Sequence, residues 1–361
     1  MSPSRERRAT LKDVADHAAV SKTTVSFVLS GRRDMRISPA TEERVLQAAR
    51  VLGYRGTRSP YTTPVPGSPV IGLVSDTIGT EAFAGEMIRG CIAAAAEHGH
   101  TVLMAESLGD PGLESAALDS LLGRGVNRFL VGATGTRKVS VPRALVGSST
   151  VLMNCVDRSS ATTAVVPDEY AAGRTAAQTL LDAGHTDRIW LVGEVPRATF
   201  PGQRRLAGIR AALRSAGLEL AGHVQCHWWP DIARDAVSAI LGADDQASPT
   251  AVIAINDRAA MGVYQAAAAL GMAVPDDVSV ISFDNSDISR WLSPGLTSIT
   301  LPYFDLGRRA VELLLDENRP GGTHTVGMSL QSRDSVAPPR QAPARPDTTR
   351  HPGTSLSRGV R

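Results

Sequence analysis

The sequence has few cysteines and no long hydrophobic run. Three cysteines occur among its 361 residues, and their wide spacing gives neither a disulfide framework nor a CxxC metal pattern. No apolar segment approaches the roughly 18 residues that a membrane-spanning helix needs. The basic N-terminus is not followed by the apolar stretch of a secretory signal. We therefore expect a cytoplasmic protein whose thiols are reduced.

Patterns typical of catalysis or of metal binding are also missing from the sequence. His223, Cys226 and His227 lie close together, but they lack a fourth ligand and regular spacing. We expect residues 132–135 to form a loop at a strand end, which is too short to cradle a phosphate. No Ser/His/Asp arrangement and no pair of carboxylates demands catalysis. We therefore expect a protein that is not an enzyme and has no cofactor and no bound metal.

Positive charge is concentrated at the start of the chain. Residues 1–60 contain 12 Lys and Arg against 6 Asp and Glu, a net charge of +6, whereas the remainder contains 26 against 30, a net charge of −4. A small basic segment on a mildly acidic body is typical of nucleic-acid binding, because basic side chains that contact phosphates release counterions. A solvated basic tail would show the same balance, so charge alone leaves both interpretations open.

Composition and periodicity divide the chain into four segments. Residues 9–56 have the pattern of a compact helical domain, and 57–69, rich in Pro, Thr, Ser and Gly, indicate a linker. Residues 70–338 alternate short apolar runs with alanine-rich helical stretches, which is typical of parallel sheets with helices on both faces. The runs are too many for one sheet and favour two. Residues 339–361 have almost no apolar content, so we expect a disordered tail.

Capping residues place three short helices in the first segment. Thr10 caps the first helix, with Asp13 three residues on as in a capping box. Ser21 caps a second helix after a short turn, and a third helix begins at Ser38 with Pro39 in its first position. The first two helices and their turn predict a helix-turn-helix, whose second helix enters the major groove of DNA.

The second helix has a polar outer face. We expect Lys22, Thr23 and Phe27 to point outward, next to hydroxyl groups that suit phosphate oxygens near a helix N-terminus. A three-helix bundle without a ligand would need neither this face nor the excess of positive charge. The residues with such hydroxyls are Ser21, Thr24 and Ser26.

Four motifs of this segment carry a resemblance to a known family. They are Thr10-Leu11-Lys12-Asp13-Val14-Ala15, Val20-Ser21-Lys22-Thr23-Thr24-Val25-Ser26, Thr41-Glu42-Glu43-Arg44-Val45 and Leu52-Gly53-Tyr54. Together they resemble the head of the LacI/GalR family of bacterial transcriptional regulators. The resemblance implies binding to double-stranded operator DNA, with base contacts from Lys22, Thr23 and Phe27. The phosphate contacts that it implies come from Thr10, Ser21, Thr24 and Ser26.

Several positions depart from the family pattern. Ala19 stands at a turn position where the family usually has Gly, and Phe27 stands where it usually has Arg. Arg reads guanine through two hydrogen bonds, whereas Phe offers only apolar contact, for instance with a thymine methyl, so we expect a different base preference. In the linker, Pro60, Thr63 and Pro64 lie where the family has a hinge helix with an intercalating Leu. We therefore expect weaker bending of the operator.

The resemblance continues through the third segment. Its densest motifs are Ala254-Ile255-Asn256-Asp257-Arg258-Ala259-Ala260-Met261-Gly262 and Val274-Pro275-Asp276-Asp277-Val278-Ser279-Val280-Ile281-Ser282-Phe283-Asp284-Asn285. This segment resembles the periplasmic-binding-protein-like sensor of the same family. The resemblance implies two doubly wound parallel-sheet subdomains, the first of residues 70–166 and 290–326 and the second of residues 167–289 and 327–338. The effector is then expected in the cleft, at the carboxyl ends of the strands.

Polar and aromatic residues fall at the expected strand ends. Carboxylates and amides bond to hydroxyls, Arg adds directed donors and an aromatic face packs on a sugar ring, so we expect a sugar or small polyol as effector. Arg205 matches the family's ligand-clamping Arg. Asn256 and Asp284 could instead cap the following elements, Phe83 could belong to the core and the tryptophans could be plain packing. The expected effector-binding residues are Asp76, Phe83, Asp168, Arg205, Trp228 or its neighbour Trp229, Asn256 and Asp284.

These features predict a sequence-specific transcriptional regulator that a small-molecule effector controls. We expect this regulator to be a repressor. The family and the symmetry of DNA half-sites imply a homodimer, which would be associated with the nucleoid when bound to DNA. Two other functions stay open from the sequence. A sugar-binding protein of the transport type would need a secretory signal and no head. A cytoplasmic sugar-processing enzyme would need a phosphate loop and a catalytic acid or base.

Overall fold

Three short helices begin the structure, a computed structural model that describes residues 10–29, 37–52, 69–81, 84–195, 200–243 and 248–340. The helices are α1 (Leu11–Ala18), α2 (Lys22–Leu29) and α3 (Pro39–Val51). Val14, Val25 and Val45, one from each helix, are fully buried at the centre of their shared core. The helix-turn-helix head predicted from the caps is therefore confirmed.

Strands and helices alternate through the rest of the chain. The strands are β1 (Val70–Ser75), β2 (Thr101–Glu106), β3 (Arg128–Val139), β4 (Ser149–Asp157), β5 (Ala164–Pro167), β6 (Ile189–Val192), β7 (Gly222–Val224), β8 (Ala251–Ala254), β9 (Ser279–Asp284), β10 (Thr297–Thr300), β11 (Thr323–Val326) and β12 (Leu330–Gln331). The helices are α4 (Gly85–Glu97), α5 (Pro111–Leu122), α6 (Glu169–Asp182), α7 (Phe200–Ser215), α8 (Pro230–Leu241), α9 (Asp257–Ala269), α10 (Asp287–Trp291) and α11 (Tyr303–Leu315). Within the described ranges, none of the helices has the length and apolar content to cross a bilayer.

The strands form two six-stranded sheets with the same winding. The first has the order β11-β5-β4-β3-β1-β2 and the second the order β12-β10-β9-β8-β6-β7. The strand that opens each sheet, β1 or β6, pairs in parallel with the next two strands of that sheet along the chain. In such doubly wound sheets, ligands bind outside the carboxyl ends of the strands, where the strand order reverses. The predicted fold class of two parallel-sheet units is confirmed.

The chain passes from one unit to the other three times. One unit ends at Val166 and is completed by Tyr303–Val326, while the other comprises Pro167–Pro302 and resumes at Gly327. The second passage therefore comes at Pro302, and the expected change near Ser289 is wrong. The reason is β10, which pairs in parallel with β9 and keeps residues 290–302 in the second unit.

A close crossing of α6 and α7 shapes the helical layer of the second unit. Gly173 of α6 lies so near α7 that an added Cβ would collide with the carbonyl oxygen of Arg205. Gly208 of α7 lies equally near the carbonyl oxygen of Tyr170. Because neither glycine has a side chain, the two backbones meet directly. This contact brings the beginning of α6 next to the first half of α7, where Arg205 lies.

Candidate DNA interface and effector site

The outer face of α2 is polar and positively charged at its amino end. Lys22, Thr23 and Ser26 are exposed, whereas Val25 and Val28 are buried in the core of the head. Phe27 is half-buried at the edge of this face. The first turn of α2 contains no acidic residue, so the helix dipole and Lys22 act together there. This end of the helix therefore attracts anions such as phosphate groups.

Hydroxyl groups are fixed at the beginnings of α1 and α2. The Asp13 amide donates to Thr10 Oγ1 at 3.3 Å, and the Thr10 amide donates to Asp13 Oδ2 at 2.7 Å, which confirms the predicted capping box. The Thr24 amide donates to Ser21 Oγ at 3.0 Å, and the Ser21 and Thr24 hydroxyls lie 2.8 Å apart. Three of the four expected phosphate-contacting hydroxyls thus lie at helix amino ends, where anions are favoured.

The turn between α1 and α2 contains a strained residue. Ala19 has φ 52° and ψ 49°, a left-handed conformation in which an L side chain is disfavoured. Its amide donates to the carbonyl oxygen of Asp16, and the next amide, of Val20, donates to Ala15. The turn therefore has the backbone geometry for which Gly is best suited, although this chain has Ala there.

Some of the residues singled out in the sequence lie outside the residues that the structure describes. They are Gly53 to Gly56 at the end of the head, the linker through residue 68 with Pro60, Thr63 and Pro64, Phe83, and the tail from residue 341. The expectations for operator bending and for Phe83 as an effector contact stay predictions.

Asp76 occupies the carboxyl end of β1 in the first unit. Its Oδ1 accepts hydrogen bonds from the Thr77 amide at 2.6 Å and from the amide and hydroxyl of Thr134 at 3.0 Å each. Arg137 forms an ion pair with its Oδ2. Burial would raise the pKa of Asp76, but the Thr77 amide and the guanidinium of Arg137 hold it below its usual value. Asp76 is therefore an ionised acceptor where β1 borders β3.

Asn154 holds an irregularity of the neighbouring strand in place. The pairing of β3 with β4 shifts register between Gly132 and Arg137. The buried Asn154 side chain donates to the carbonyl oxygens of Ala133 at 2.9 Å and Thr134 at 3.0 Å. These bonds replace ladder partners that the irregular strand has lost. Asn154 thereby positions Thr134, which in turn holds Asp76.

Arg205 is buried at the carboxyl edge of the second sheet. Its Nε lies 2.7 Å from Glu169 Oε2, its Nη2 3.0 Å from Glu169 Oε1, and its Nη1 2.5 Å from the carbonyl oxygen of Ile255. The guanidinium carbon lies 4.0 Å from the centre of the Phe283 ring. Arg205 is therefore held on several sides by the protein and presents a guanidinium of fixed orientation.

Asp284 ends β9 and is influenced by the charge of the buried Asp257. Desolvation and the charge of Asp257 raise the pKa of Asp284 well above its usual value, against the opposing charge of Arg205. Asp257, which is 1% exposed, accepts hydrogen bonds from the hydroxyls of Ser282 and Ser298 and from the Ser286 amide and hydroxyl. A protonated Asp284 could donate a hydrogen bond as well as accept one. Such a carboxyl suits a hydroxyl-bearing ligand.

Asn256 and Asp168 cap helices at the carboxyl ends of strands. Asn256 Oδ1 accepts from the Ala259 amide at 2.8 Å at the start of α9, and Asp168 Oδ1 accepts from the Ala171 amide at 3.0 Å at the start of α6. The capping role considered for Asn256 in the sequence is thus present. Its amide nitrogen forms no hydrogen bond with any residue that the structure describes. Capping fixes the side chain and leaves that donor for a ligand.

His223 lies in β7, and His227 and the two tryptophans follow this strand. Trp228 and Trp229 are about half exposed, and the Arg258 guanidinium carbon lies 4.6 Å from the centre of the Trp229 ring. His223 bonds to the Gly193 carbonyl oxygen at 2.7 Å, and His227 lies 3.0 Å from a carboxylate oxygen of Glu194. Among the described residues, no three His, Cys, Asp or Glu side chains are grouped so as to hold a metal. Trp228 therefore offers an open aromatic face, whereas Trp229 is stacked with Arg258.

Both parts of the chain match known families. Residues 10–56 match the family of bacterial regulatory proteins, lacI family, and residues 177–336 match the periplasmic binding protein-like domain. The sucrose operon repressor of Shigella flexneri is 33% identical over 327 residues, which cover 88% of this chain and 96% of that protein. The ribose operon repressor of Escherichia coli (strain K12) is 30% identical over 315 residues, which cover 85% and 92%. The chain belongs to the LacI family.

A solved structure extends the similarity of this LacI-family protein to its fold. The transcriptional regulator CelR in complex with cellobiose is 28% identical, with a TM-score of 0.61, and the match covers 91% of this chain and all of that one. Like its relatives, this protein is a DNA-binding transcriptional repressor and not an enzyme. The alternatives that the sequence left open, a transport-type binding protein and a sugar-processing enzyme, are thereby set aside.

In this LacI-family repressor, the structure gathers several of the expected effector residues in the second unit. Arg205 Nη1 bonds to the residue before Asn256, and the charge of Arg205 acts on Asp284. Asp168 immediately precedes Glu169, the ion-pair partner of Arg205. Asp76 lies in the first unit with Thr134 and Arg137. Each unit therefore has polar side chains at the carboxyl ends of its own strands.

The sequence reasoning missed Glu169 and Asp257, two buried acids of the second unit of this LacI-family repressor. Glu169 lies on the helical face that also contains Ala172, Gly173 and Ala176, all of which are buried. An acidic residue in register with an apolar helix face is a signal that it needs a buried partner. Asp257 follows Asn256 directly and lies in the first turn of α9, a common position for an acidic residue, so the sequence gives no signal of its buried contacts.

Proposed function

We propose that this repressor reads its operator with the outer face of α2. Lys22, Thr23 and Phe27 contact base edges in the major groove, while hydroxyl groups at the amino ends of α1 and α2 contact phosphates. The observation that carries this proposal is the division of α2 into a buried face, with Val25 and Val28, and an exposed polar face without acidic residues. The phosphate-contacting residues are Thr10, Ser21, Thr24 and Ser26.

We infer that the repressor acts as a homodimer in the cytoplasm, bound to the nucleoid when it occupies its operator. One head reads a short half-site, so two heads related by symmetry are needed for a longer operator. The effector changes DNA binding only by favouring one of two states of the dimer, because a ligand with equal affinity for both would shift nothing. Its effect on operator affinity therefore measures the difference between its affinities for the two states.

We propose that the effector is a sugar or a related small polyol. Arg205, Asn256 and Asp284 donate to and accept from its hydroxyls, and the exposed face of Trp228 packs on its ring. Asp168 in the second unit adds an acceptor, and Asp76 in the first unit is proposed as a further one. Phe83 is proposed as a further apolar contact. The relatives support this class, since they are named for ribose and sucrose and one was solved with cellobiose.

A thermal-shift screen of sugars, polyols and nucleosides against the full chain tests the effector proposal. The effector raises the melting temperature, because a ligand that binds only the folded state stabilises it by mass action. Arg205→Ala and Asp284→Ala remove this rise, while Arg214→Ala, which changes an exposed residue of α7, retains it. Folding of the two variants is checked by circular dichroism. A rise that persists in both folded variants would mean that the effector binds elsewhere.

A further inference from the structure

The first unit has a polar cavity at the amino ends of its strands, opposite to the end where Asp76 lies. The cavity has a volume of about 370 Å³ and lies where β4 and β5 begin. Because β1 runs parallel to β3, and β3 and β5 each run parallel to β4, the beginnings of these strands share one edge. A six-residue strand such as β1 spans about 20 Å, so this edge is distant from the effector-binding end. The cavity is therefore separate from the site at Asp76.

Two arginines and several hydroxyls give the cavity its chemistry. Arg143 lies in a short turn before β4, and Arg319 lies in the turn between α11 and β11. Neither forms an ion pair with a residue that the structure describes, and the lining includes no acidic side chain. The Arg319 guanidinium donates to Ser149 Oγ at 2.7 Å, which fixes its direction. The hydroxyl-bearing residues of the lining are Ser148, Thr150, Thr162 and Thr163.

Thr150 supplies an independent observation that points to a ligand. Its side chain is 7% exposed, and its hydroxyl has no hydrogen-bond partner in the described part of the chain. The neighbouring residues Val151 and Met153 alternate into the core beside α4 and α11, as every second residue of a strand does. Thr150 consequently points to the other face of the sheet, where it lines the cavity. An unpaired buried hydroxyl costs free energy, which a bound acceptor would recover.

We propose that this cavity binds a small organic phosphate, a phosphate monoester. Two guanidinium groups match the nearly two negative charges that such a group carries at neutral pH. Its three acceptor oxygens match the N–H donors of Arg143 and Arg319 and the hydroxyl of Thr150. A volume of about 370 Å³ leaves room for an organic part beyond the phosphate. The site is independent of the proposed effector and does not rest on it.

Isothermal titration of the full chain with glycerol 3-phosphate, without DNA and at fixed ionic strength, tests this proposal. Glycerol 3-phosphate binds, and glycerol, which lacks the phosphate, does not. Arg143→Met and Arg319→Met each weaken binding by roughly tenfold or more, since each removes charge-assisted hydrogen bonds. Arg214→Met removes a positive charge from an exposed position in the second unit and leaves the affinity unchanged.

Thr150→Val keeps the test informative if an arginine variant fails to fold. It weakens binding of glycerol 3-phosphate while raising the melting temperature of the ligand-free protein, because it removes an unpaired buried hydroxyl. Three results would overturn the proposal. They are absence of binding to the wild-type chain, an affinity equal to that of the wild type in all three cavity variants, and loss of binding in Lys22→Met alone, which would place the phosphate on the head.

Discussion

The guanidinium of Arg205 and the carboxylate of Glu169 form a two-pronged ion pair inside the second unit. Nε lies 2.7 Å from Oε2 and Nη2 3.0 Å from Oε1, and both side chains are less than a tenth exposed. Two parallel N–H···O bonds fix the guanidinium plane as well as its position. Glu169 therefore determines which way Arg205 faces, although Glu169 was not among the expected ligand contacts.

Replacement of Glu169 tests this dependence. Glu169→Ala leaves the charge of Arg205 buried without its partner, and we expect the free energy of unfolding to fall by about 3–5 kcal/mol. Glu169→Gln retains a hydrogen-bond acceptor, so its free energy of unfolding should fall by less. Urea unfolding measures both. The matched control is Asp235→Asn, which breaks an exposed pair with Arg234 and should cost no more than about 1 kcal/mol. Equal losses in Glu169→Ala and the control would contradict the assigned role.

The crossing of α6 and α7 depends on the absence of a side chain at Gly208. Gly208→Ala places a methyl group against the carbonyl oxygen of Tyr170, so the helices must move apart. We expect a loss of about 1–3 kcal/mol or more in the free energy of unfolding. Gly85→Ala is the matched control, because it lies in α4 with no atom within contact distance of the added Cβ. Thermal unfolding measures the stability of both variants. A larger loss in Gly85→Ala than in Gly208→Ala would contradict the close crossing of α6 and α7.

The left-handed conformation of Ala19 predicts that a glycine at this position increases the stability of the head. Ala19→Gly relieves the strain of φ 52° and should stabilise the head by about 0.5–1 kcal/mol, after the greater freedom of glycine in the unfolded chain is allowed for. Ala18→Gly is the comparison. Ala18 is buried at the end of α1, so this variant should be less stable than the wild type. Hydrogen exchange of the head amides in the full chain measures both effects. A less protected head in Ala19→Gly would show that the turn adopts another conformation.

His185 makes the second unit sensitive to acid. Its ring lies 3.2 Å from Thr250 Oγ1 and 3.0 Å from the carbonyl oxygen of Ala337, and it is 1% exposed. Burial lowers the pKa of His185 from its usual 6.5, against the opposing hydrogen bond to Ala337. The unfolded chain therefore binds a proton at a higher pH than the folded chain does. The stability due to neutral His185 is complete above pH 6.5 and is lost as the pH falls from 6.5 toward the lower folded pKa.

Urea unfolding between pH 7.5 and 5.5 checks this sign. The wild-type chain should lose more stability over that interval than His185→Gln, in which the titrating ring is absent. Other groups contribute equally to both proteins, so the difference between the two curves isolates His185. A wild-type curve parallel to that of the variant would show that His185 titrates alike in the folded and unfolded chains.

The fold follows from local pattern wherever burial and apolar character coincide. The apolar segments Val70–Ser75 and Ala251–Ala254 are strands because both faces of a parallel sheet are covered. β10 was not recognised as a strand from the sequence, because three of its four residues are polar. Ser298 is fully buried, but its hydroxyl donates to Asp257 Oδ1 at 2.7 Å, a contact between residues far apart in the chain. Such a contact between distant residues cannot be read from the sequence, and the passage of the chain back to the first unit was therefore expected near Ser289 instead of at Pro302.

At the candidate site, too, residues that belong to a motif could be predicted, whereas contacts between distant elements could not. Arg205 and Asp284 could be named from their motifs, since each follows a recognisable family pattern. Their immediate surroundings could not, because Glu169, Asp257 and the Ile255 carbonyl oxygen reach them only through the packing of separate elements. Sequence therefore identified the polar groups at the strand ends. The partners that orient those groups required the structure.

Operator selection by the wild-type chain and by Phe27→Arg tests the central claim most directly. The full chain is incubated with a randomised DNA library at moderate salt, and the affinities of the selected sequences are measured by fluorescence anisotropy. We predict a preferred palindromic sequence for the wild-type chain, and for Phe27→Arg a change toward guanine at one position of each half-site, because Arg bonds to both O6 and N7 of guanine. Lys12→Met, in α1, should retain the wild-type preference. No preference in the wild-type chain, or an unchanged preference in Phe27→Arg, would contradict the assignment of α2 as the reading helix.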